Sequence, residues 1–133
     1  MVLTQVQVAQ LGASPVIERY FESFNAGKFG VTAALFAPDG LLHAPFEEPI
    51  VGNAAIVRYL QSEAEGMEAY PKSLEQAEQA DGANRFIVRG RVKAVVFKVN
   101  VAWIFDLNEA EQIQKLRVKL LASMEDLLKL RSE

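Results

Sequence analysis

Cysteine is absent from this 133-residue chain, and histidine occurs only once. Without cysteine there is no disulfide framework, thiolate metal site or cysteine nucleophile, and one histidine excludes a multi-histidine metal site within the chain. No apolar run reaches the roughly 18 residues that a membrane-spanning helix needs. Residues 1–10 lack the basic flank and apolar core of a signal peptide. We therefore expect a cytoplasmic protein with no bound metal.

Half of the residues are hydrophobic and 23% are charged, which is the composition of a folded domain rather than of a disordered segment. The length is sufficient for one hydrophobic core. We predict a single domain over residues 1–133, with a flexible N-terminal segment at residues 1–13. The net charge of −3 argues against nucleic acid as a partner.

The charges are segregated along the chain. Residues 39–83 contain nine acidic and two basic side chains, whereas residues 84–132 contain ten basic and five acidic ones. In the basic half, cations alternate with apolar residues, which places the two kinds on opposite faces of a sheet. The alternating cations are Arg89, Arg91, Lys93, Lys115, Arg117 and Lys119. We interpret them as a solvated sheet face.

Helical spacing of apolar residues predicts three helices in the first half. They run from Ser14-Pro15 to Asn25, from Phe29 to Phe36, and from a capping Asn53 to about Gly66. Asp39-Gly40 is predicted to be a turn, residues 41–43 a short strand and residues 44–52 a loop.

The second half is typical of strands joined by short turns, which indicates an antiparallel sheet. The predicted strands are Ser73–Ala80, Phe86–Lys98, Val99–Leu107 and Gln112–Ala122, followed by a helix over Ser123–Leu130. Helices followed by a sheet define an α+β fold. A curved sheet around helices leaves an apolar cavity that suits a small apolar ligand.

A few polar residues are candidates for chemistry in such a cavity. Tyr20 and Trp103 each combine an apolar ring with a hydrogen-bond donor, so they are either core residues or ligand contacts. His43 is a candidate general base or a loop histidine, and Asp106 would serve as a base only if it were desolvated. Asp39 is interpreted as part of a turn. No catalytic residue is assigned.

Several segments match a known family in the same order. They are residues 20–29, residues 34–40, the run Pro45-Phe46-Glu47-Glu48-Pro49-Ile50-Val51-Gly52, residues 100–108 and residues 120–123. Together they resemble the C-terminal domain of the orange carotenoid protein, a member of the nuclear transport factor 2-like superfamily. The similarity covers roughly residues 14–131, and the chain resembles the stand-alone cyanobacterial homologues of that domain.

The resemblance implies a cone of N-terminal helices packed in a curved antiparallel sheet, with a short C-terminal helix. It implies a ketocarotenoid of the canthaxanthin or echinenone type, carried by a homodimer, passed to helical carotenoid proteins and serving photoprotection or an antioxidant role. Transient contact with membranes is also expected.

In the family, one tyrosine and one tryptophan donate hydrogen bonds to the keto oxygen, and the matching residues are Tyr20 and Trp103. We predict that four further side chains line the tunnel: Phe24, Met67, Val101 and Val118. The redox-sensitive cysteine of some relatives has no counterpart here.

Two other functions remain open. One is an isomerase, dehydratase or cyclase with His43 or Asp106 as base and Tyr20 as oxyanion donor. The other is a dimerisation module without a ligand. An apolar tunnel that reaches Tyr20 and Trp103 would favour carotenoid binding over both.

Overall fold

A computed structural model describes residues 14–78 and 84–121. Its elements are α1 (Pro15–Asn25), α2 (Phe29–Ala34), β1 (Phe36–His43), β2 (Ile50–Val51), α3 (Asn53–Glu63), β3 (Glu68–Glu78), β4 (Asn84–Lys93), β5 (Lys98–Leu107) and β6 (Ile113–Leu121). The α+β fold is therefore confirmed. The predicted segment at residues 1–13 and the predicted helix over Ser123–Leu130 lie outside the described residues.

The six strands form one sheet in the order β2-β1-β6-β5-β4-β3. Neighbouring strands from β3 to β6 are antiparallel, as predicted, and so are β1 and β2. However, β1 pairs with β6 in parallel, with Leu42 opposite Leu116, so the sheet is mixed rather than wholly antiparallel. This pairing joins segments far apart in the chain, and local patterns of hydrophobicity do not encode it.

The start of β1 differs from the prediction. Helix α2 ends at Ala34, and β1 begins at Phe36 and includes the predicted turn at Asp39 and Gly40. Pro38 disfavours helical backbone at Ala37, which suits that residue to the extended conformation of β1. A Cβ atom on Gly40 would lie 2.8 Å from the Ile113 carbonyl oxygen, so this close approach requires glycine.

Asn53 does not cap the third helix as predicted. It is the first residue of α3, after an N-cap at Gly52. Its side-chain amide donates hydrogen bonds to the carbonyl oxygens of Ala33, at 2.7 Å, and Phe36, at 3.2 Å. Asn53 therefore ties α3 to the junction between α2 and β1.

The long strand predicted over Phe86–Lys98 is in fact two strands. β4 ends at Lys93, a turn follows in which the Ala94 N–H donates to the Phe97 carbonyl oxygen at 2.8 Å, and β5 begins at Lys98. The turn contains neither glycine nor proline, so its apolar sequence gives no turn signal. Strand β3 is confirmed as a strand but begins at Glu68, five residues before the predicted Ser73.

One face of the sheet packs on the helices to form the core. Ile17, Ile56 and Phe105 are fully enclosed there. Asn25 anchors α1 to β3 because its side chain accepts from the Ala69 N–H at 2.7 Å and donates to the Ala69 carbonyl oxygen at 3.0 Å. Along β4 the predicted alternation holds: Val88 is buried and Arg89 is exposed. Among the described residues, no helix has the length and apolar character to cross a membrane.

Candidate ligand-binding cavity

A cavity of about 340 Å³ lies between α1, α3 and the sheet, and apolar side chains form most of its wall. The six side chains predicted as ligand contacts all line it: Tyr20, Phe24, Met67, Val101, Trp103 and Val118. Residues from three different elements and one loop therefore meet around one space. Their contact with a ligand stays a prediction.

Simple periodicity explains how these side chains converge. Tyr20 and Phe24 lie one helical turn apart on α1, so they share a face. Val101 and Trp103 are two residues apart on β5 and point to the same side of the sheet. Val118 on β6 is the cross-strand partner of Trp103. The antiparallel register thus aligns the strand residues with the helix above them.

The two candidate donors belong to a cluster of aromatic rings. Tyr20 packs edge-on against Phe21 and Phe105, each with a centroid separation of 5.2 Å. Phe21 in turn packs edge-on against Trp103 at 4.9 Å. Edge-to-face contacts of this kind add to the stability gained by burial. They hold the Tyr20 and Trp103 rings in place within the core.

The polar atoms of Tyr20 and Trp103 are open to the cavity. Neither the Tyr20 hydroxyl nor the Trp103 indole N–H forms a hydrogen bond with any residue of the chain, as far as the described part shows. Within residues 14–78 and 84–121, Ser14 Oγ is the only side-chain polar atom that is both fully enclosed and without a hydrogen-bond partner. The Tyr20 hydroxyl and the Trp103 N–H also lack a partner, so neither of them is fully enclosed. Both residues belong to the hydrophobic core, and their two unpartnered donors face an apolar space.

The cavity also sets the ionisation of its tyrosines. Burial raises the pKa of the Tyr20 hydroxyl far above its ordinary value, and the nearby Tyr59 adds to the effect. Tyr20 is thus a neutral donor at physiological pH. Burial likewise raises the pKa of Tyr59, with smaller contributions from the charges of Glu47 and Glu63.

Sequence reasoning did not identify Tyr59 and Glu63 as cavity residues, although both line the wall. The signal was present for Tyr59, which lies next to the buried Leu60 and one turn after the buried Ile56 on α3. Glu63 follows Tyr59 by one turn on the same helix. No sequence pattern distinguishes its exposed carboxylate from the other acids of the helix.

The two bases considered for an enzyme lie elsewhere. Asp106 is on the opposite face of β5 from Trp103, where Arg85 holds it with two hydrogen bonds of 2.7 and 3.0 Å. His43 borders an adjoining cleft beside β6, which shares part of its wall with the cavity, and Arg117 is its cross-strand neighbour. Asp39 accepts a hydrogen bond from the Gln114 side-chain amide at 3.1 Å. None of the three lines the cavity.

Comparison with known proteins agrees with this geometry. The orange carotenoid-binding protein of Limnospira maxima is 33% identical over 131 residues, which cover 96% of this chain and 41% of that protein. The structure of the Anabaena (Nostoc) orange carotenoid protein binding canthaxanthin superposes with a TM-score of 0.80 and 31% identity, over 88% of this chain and 39% of that one. This chain thus spans about two fifths of the length of these relatives.

The fold also occurs in more distant proteins. A candidate polyketide cyclase from Sinorhizobium meliloti superposes with a TM-score of 0.66 at 19% identity, covering 82% of this chain and 97% of that one. At this identity the likeness concerns the fold alone. Residues 17–115 match the SnoaL-like domain, which accounts for most of the chain. The chain therefore belongs to the SnoaL-like family of the nuclear transport factor 2-like fold and is homologous to the orange carotenoid proteins.

Proposed function

We propose that this protein binds a ketocarotenoid and carries it through the aqueous phase. The end ring of the pigment would occupy the cavity, with its keto oxygen accepting hydrogen bonds from the Tyr20 hydroxyl and the Trp103 N–H. The observation that supports this is the pair of unpartnered donors open to an apolar cavity. A carbonyl oxygen has two lone pairs and is suited to accept from both.

Apolar burial supplies most of the binding energy, at about 25 cal/mol per Å² removed from water. The two hydrogen bonds then fix the register of the pigment and polarise its carbonyl, which shifts the absorption to the red. Phe24, Met67, Val101 and Val118 form the apolar wall around the ring. Tyr59 and Glu63 also line the cavity and add polar groups to its wall.

A cavity of about 340 Å³ holds only part of a carotenoid, which is longer than the domain. Phe46, Phe97 and Leu120 line the cavity and are also exposed to solvent, so the remaining chain would leave beside them and need another apolar cover there. A second copy of the protein would provide this cover in a homodimer, and a helical carotenoid protein would provide it during transfer. A cytoplasmic, photoprotective carrier is consistent with such an exchange.

Co-expression in cells that make canthaxanthin tests pigment binding. We expect purified protein to be coloured, with absorption shifted to the red of canthaxanthin in hexane. Tyr20→Phe and Trp103→Phe each remove one donor while retaining most of the ring volume, so each should shift the band to the blue and weaken retention. Tyr70→Phe is the matched control, because Tyr70 donates to Glu68 and does not line the cavity.

Colourless but folded wild-type protein would contradict the proposal. So would an unchanged spectrum in the double variant Tyr20→Phe/Trp103→Phe. Gel filtration of the coloured and colourless forms tests the homodimer, which we expect the pigment to stabilise. Mixing coloured protein with an empty helical carotenoid protein and following the spectrum tests transfer.

The alternatives have less support. The enzyme hypothesis placed its base at His43 or Asp106, and both lie outside the cavity. A space filled by side chains would favour the module without a ligand, whereas an open cavity is present. A keto group can accept hydrogen bonds from both unpartnered donors, whereas neither alternative gives a role to both.

A further inference from the structure

Two polar side chains of α3 line the cavity, and the contacts proposed for a keto group use neither of them. Tyr59 and Glu63 are one helical turn apart, so they lie on the same face of the helix. Both belong to the wall that also contains Tyr20 on α1 and Trp103 on β5. The cavity therefore has a second set of polar groups, and a different element of the fold supplies it.

The Tyr59 hydroxyl is available to a ligand. The residue is partly exposed, and its hydroxyl forms no hydrogen bond with any residue in the described part of the chain. Burial raises the pKa of this hydroxyl, and the charges of Glu47 and Glu63 raise it further, so it keeps its proton at physiological pH. Tyr59 is thus a neutral donor without a partner, as Tyr20 is.

Glu63 supplies the opposite kind of group, because a carboxylate only accepts hydrogen bonds. Within the described residues its one hydrogen-bond partner is the adjacent Ser62 hydroxyl, which donates to Oε2 at 3.4 Å. Oε1 has no partner there. Tyr59 and Glu63 together therefore offer a donor and an acceptor on one face of α3. A hydroxyl group can bind to both, since it donates one hydrogen bond and accepts others.

We propose that the cavity selects a pigment whose end ring carries a hydroxyl group on the carbon next to the keto carbon. The keto oxygen would accept hydrogen bonds from Tyr20 and Trp103. The neighbouring hydroxyl would accept from Tyr59 and donate to Glu63. The inference rests on the proposed function, because it names the class of ketocarotenoid that the same cavity takes. Astaxanthin has such α-hydroxyketone rings, whereas the rings of canthaxanthin carry a keto group alone.

The arrangement of the polar groups suits an α-hydroxyketone. Its two oxygen atoms are on adjacent carbons, so the groups that bind them must lie near one another. Tyr59 meets this requirement, because it is close enough to Tyr20 to contribute to the raised pKa of that residue. A ring without the hydroxyl would place a CH₂ group beside Glu63, which removes water from the carboxylate and gives no hydrogen bond in return. The hydroxyl both adds hydrogen bonds and removes this cost.

A competition between the two pigments tests the inference. Pigment-free protein is mixed with an equimolar excess of astaxanthin and canthaxanthin in neutral detergent micelles and is then repurified. The bound pigments are extracted and separated by chromatography. The ratio of bound astaxanthin to bound canthaxanthin is compared between wild type and variants, so that a difference in the solubility of the two pigments cancels. One net hydrogen bond contributes about a fivefold factor in affinity, so Tyr59→Phe should lower this ratio about fivefold.

Further variants separate the hydroxyl contacts from general damage to the protein. Tyr70→Phe is the matched control for Tyr59→Phe, because Tyr70 donates to Glu68 and does not line the cavity. Glu63→Met should also lower the ratio, since it removes an acceptor and gives the canthaxanthin ring an apolar neighbour. Glu65→Met is its control, because Glu65 is exposed and does not line the cavity. Both test variants should still take up canthaxanthin, which shows that the fold and the keto contacts are intact.

A fall in the ratio that is confined to Tyr59→Phe and Glu63→Met would support the hydroxyl contacts. In coloured protein, a fall of less than about twofold in either of these variants would overturn the inference and leave the proposed function standing, since even a weak hydrogen bond contributes that factor. An equal fall in Tyr70→Phe or Glu65→Met would overturn it in the same way. Wild-type protein that takes up neither pigment would overturn the proposed function, and this inference with it.

Discussion

Phe21 packs edge-to-face against Trp103, with ring centroids 4.9 Å apart and ring planes at 87°. The same ring packs against Tyr20 at 5.2 Å and 88°. Phe21 itself does not line the cavity. One buried side chain outside the cavity therefore positions both candidate donors.

Phe21→Leu should disturb the donors without removing either. We expect a loss of about 1–3 kcal/mol in the free energy of unfolding, from the smaller side chain and the lost aromatic contacts. In coloured protein the absorption band should broaden, because Tyr20 and Trp103 gain freedom. Denaturant titration and absorption spectra check both effects. Phe29→Leu is the control, since Phe29 is also buried and packs on Phe24 rather than on a donor ring. Equal broadening of the absorption band in this variant would contradict the role of Phe21 in positioning Tyr20 and Trp103.

Tyr20→Phe should change the stability of pigment-free protein by less than about 1 kcal/mol. The hydroxyl has no hydrogen bond to lose, whereas a typical bonded hydroxyl contributes about 0.5–1.5 kcal/mol. Urea titration of wild type and variant side by side tests the effect of removing it. A loss of about 2 kcal/mol or more would show that the hydroxyl has a partner within the protein.

Stability should fall with rising pH above about pH 10, where an unfolded tyrosine ionises. Burial raises the pKa of Tyr20, so the folded chain keeps the proton that the unfolded chain releases. The contribution of Tyr20 is therefore complete below about pH 10 and declines above it by up to about 1.4 kcal/mol per pH unit. The pKa values of Tyr59 and Tyr70 are raised as well, so the slope of wild type must be compared with that of Tyr20→Phe. Identical slopes would contradict the prediction.

Asp106→Asn should leave pigment binding unchanged. Its carboxylate bonds Arg85 on the sheet face away from the cavity. Because that pair is partly exposed, we expect a loss of only about 1 kcal/mol in the free energy of unfolding. Spectra of coloured protein and thermal unfolding measure the two quantities. A shifted absorption band would show that Asp106 influences the cavity after all.

Several residues that line the cavity were predictable, because each follows from a short-range rule or from a recognisable segment. Helical spacing put Tyr20 and Phe24 on one face, and strand alternation did the same for Val101 and Trp103. The similarity of the surrounding segments to carotenoid proteins then singled out Tyr20 and Trp103. Tyr59 and Glu63 were not predicted, because whether a side chain lines a cavity depends on which residues lie opposite it in the folded chain.

The errors share a physical cause as well. Asn53 resembled a helix cap in sequence, but its amide satisfies two carbonyl oxygens of another segment. The turn after Lys93 resembled a continuing strand, because β-branched residues fill it where glycine or proline would be usual. At Asn53 a tertiary contact thus overrides local preference, and after Lys93 the chain turns without the residues that usually mark a turn.

The sequence by itself determined the α+β class, the buried and exposed faces of the main elements, and the types of residue available for a site. These properties depend on periodicity and composition, which act over a few residues. Only the tertiary structure decided that β1 runs parallel to β6, that the cavity stays open, and that the donors of Tyr20 and Trp103 have no partner there. Those outcomes depend on how side chains far apart in the chain fill or fail to fill a shared space.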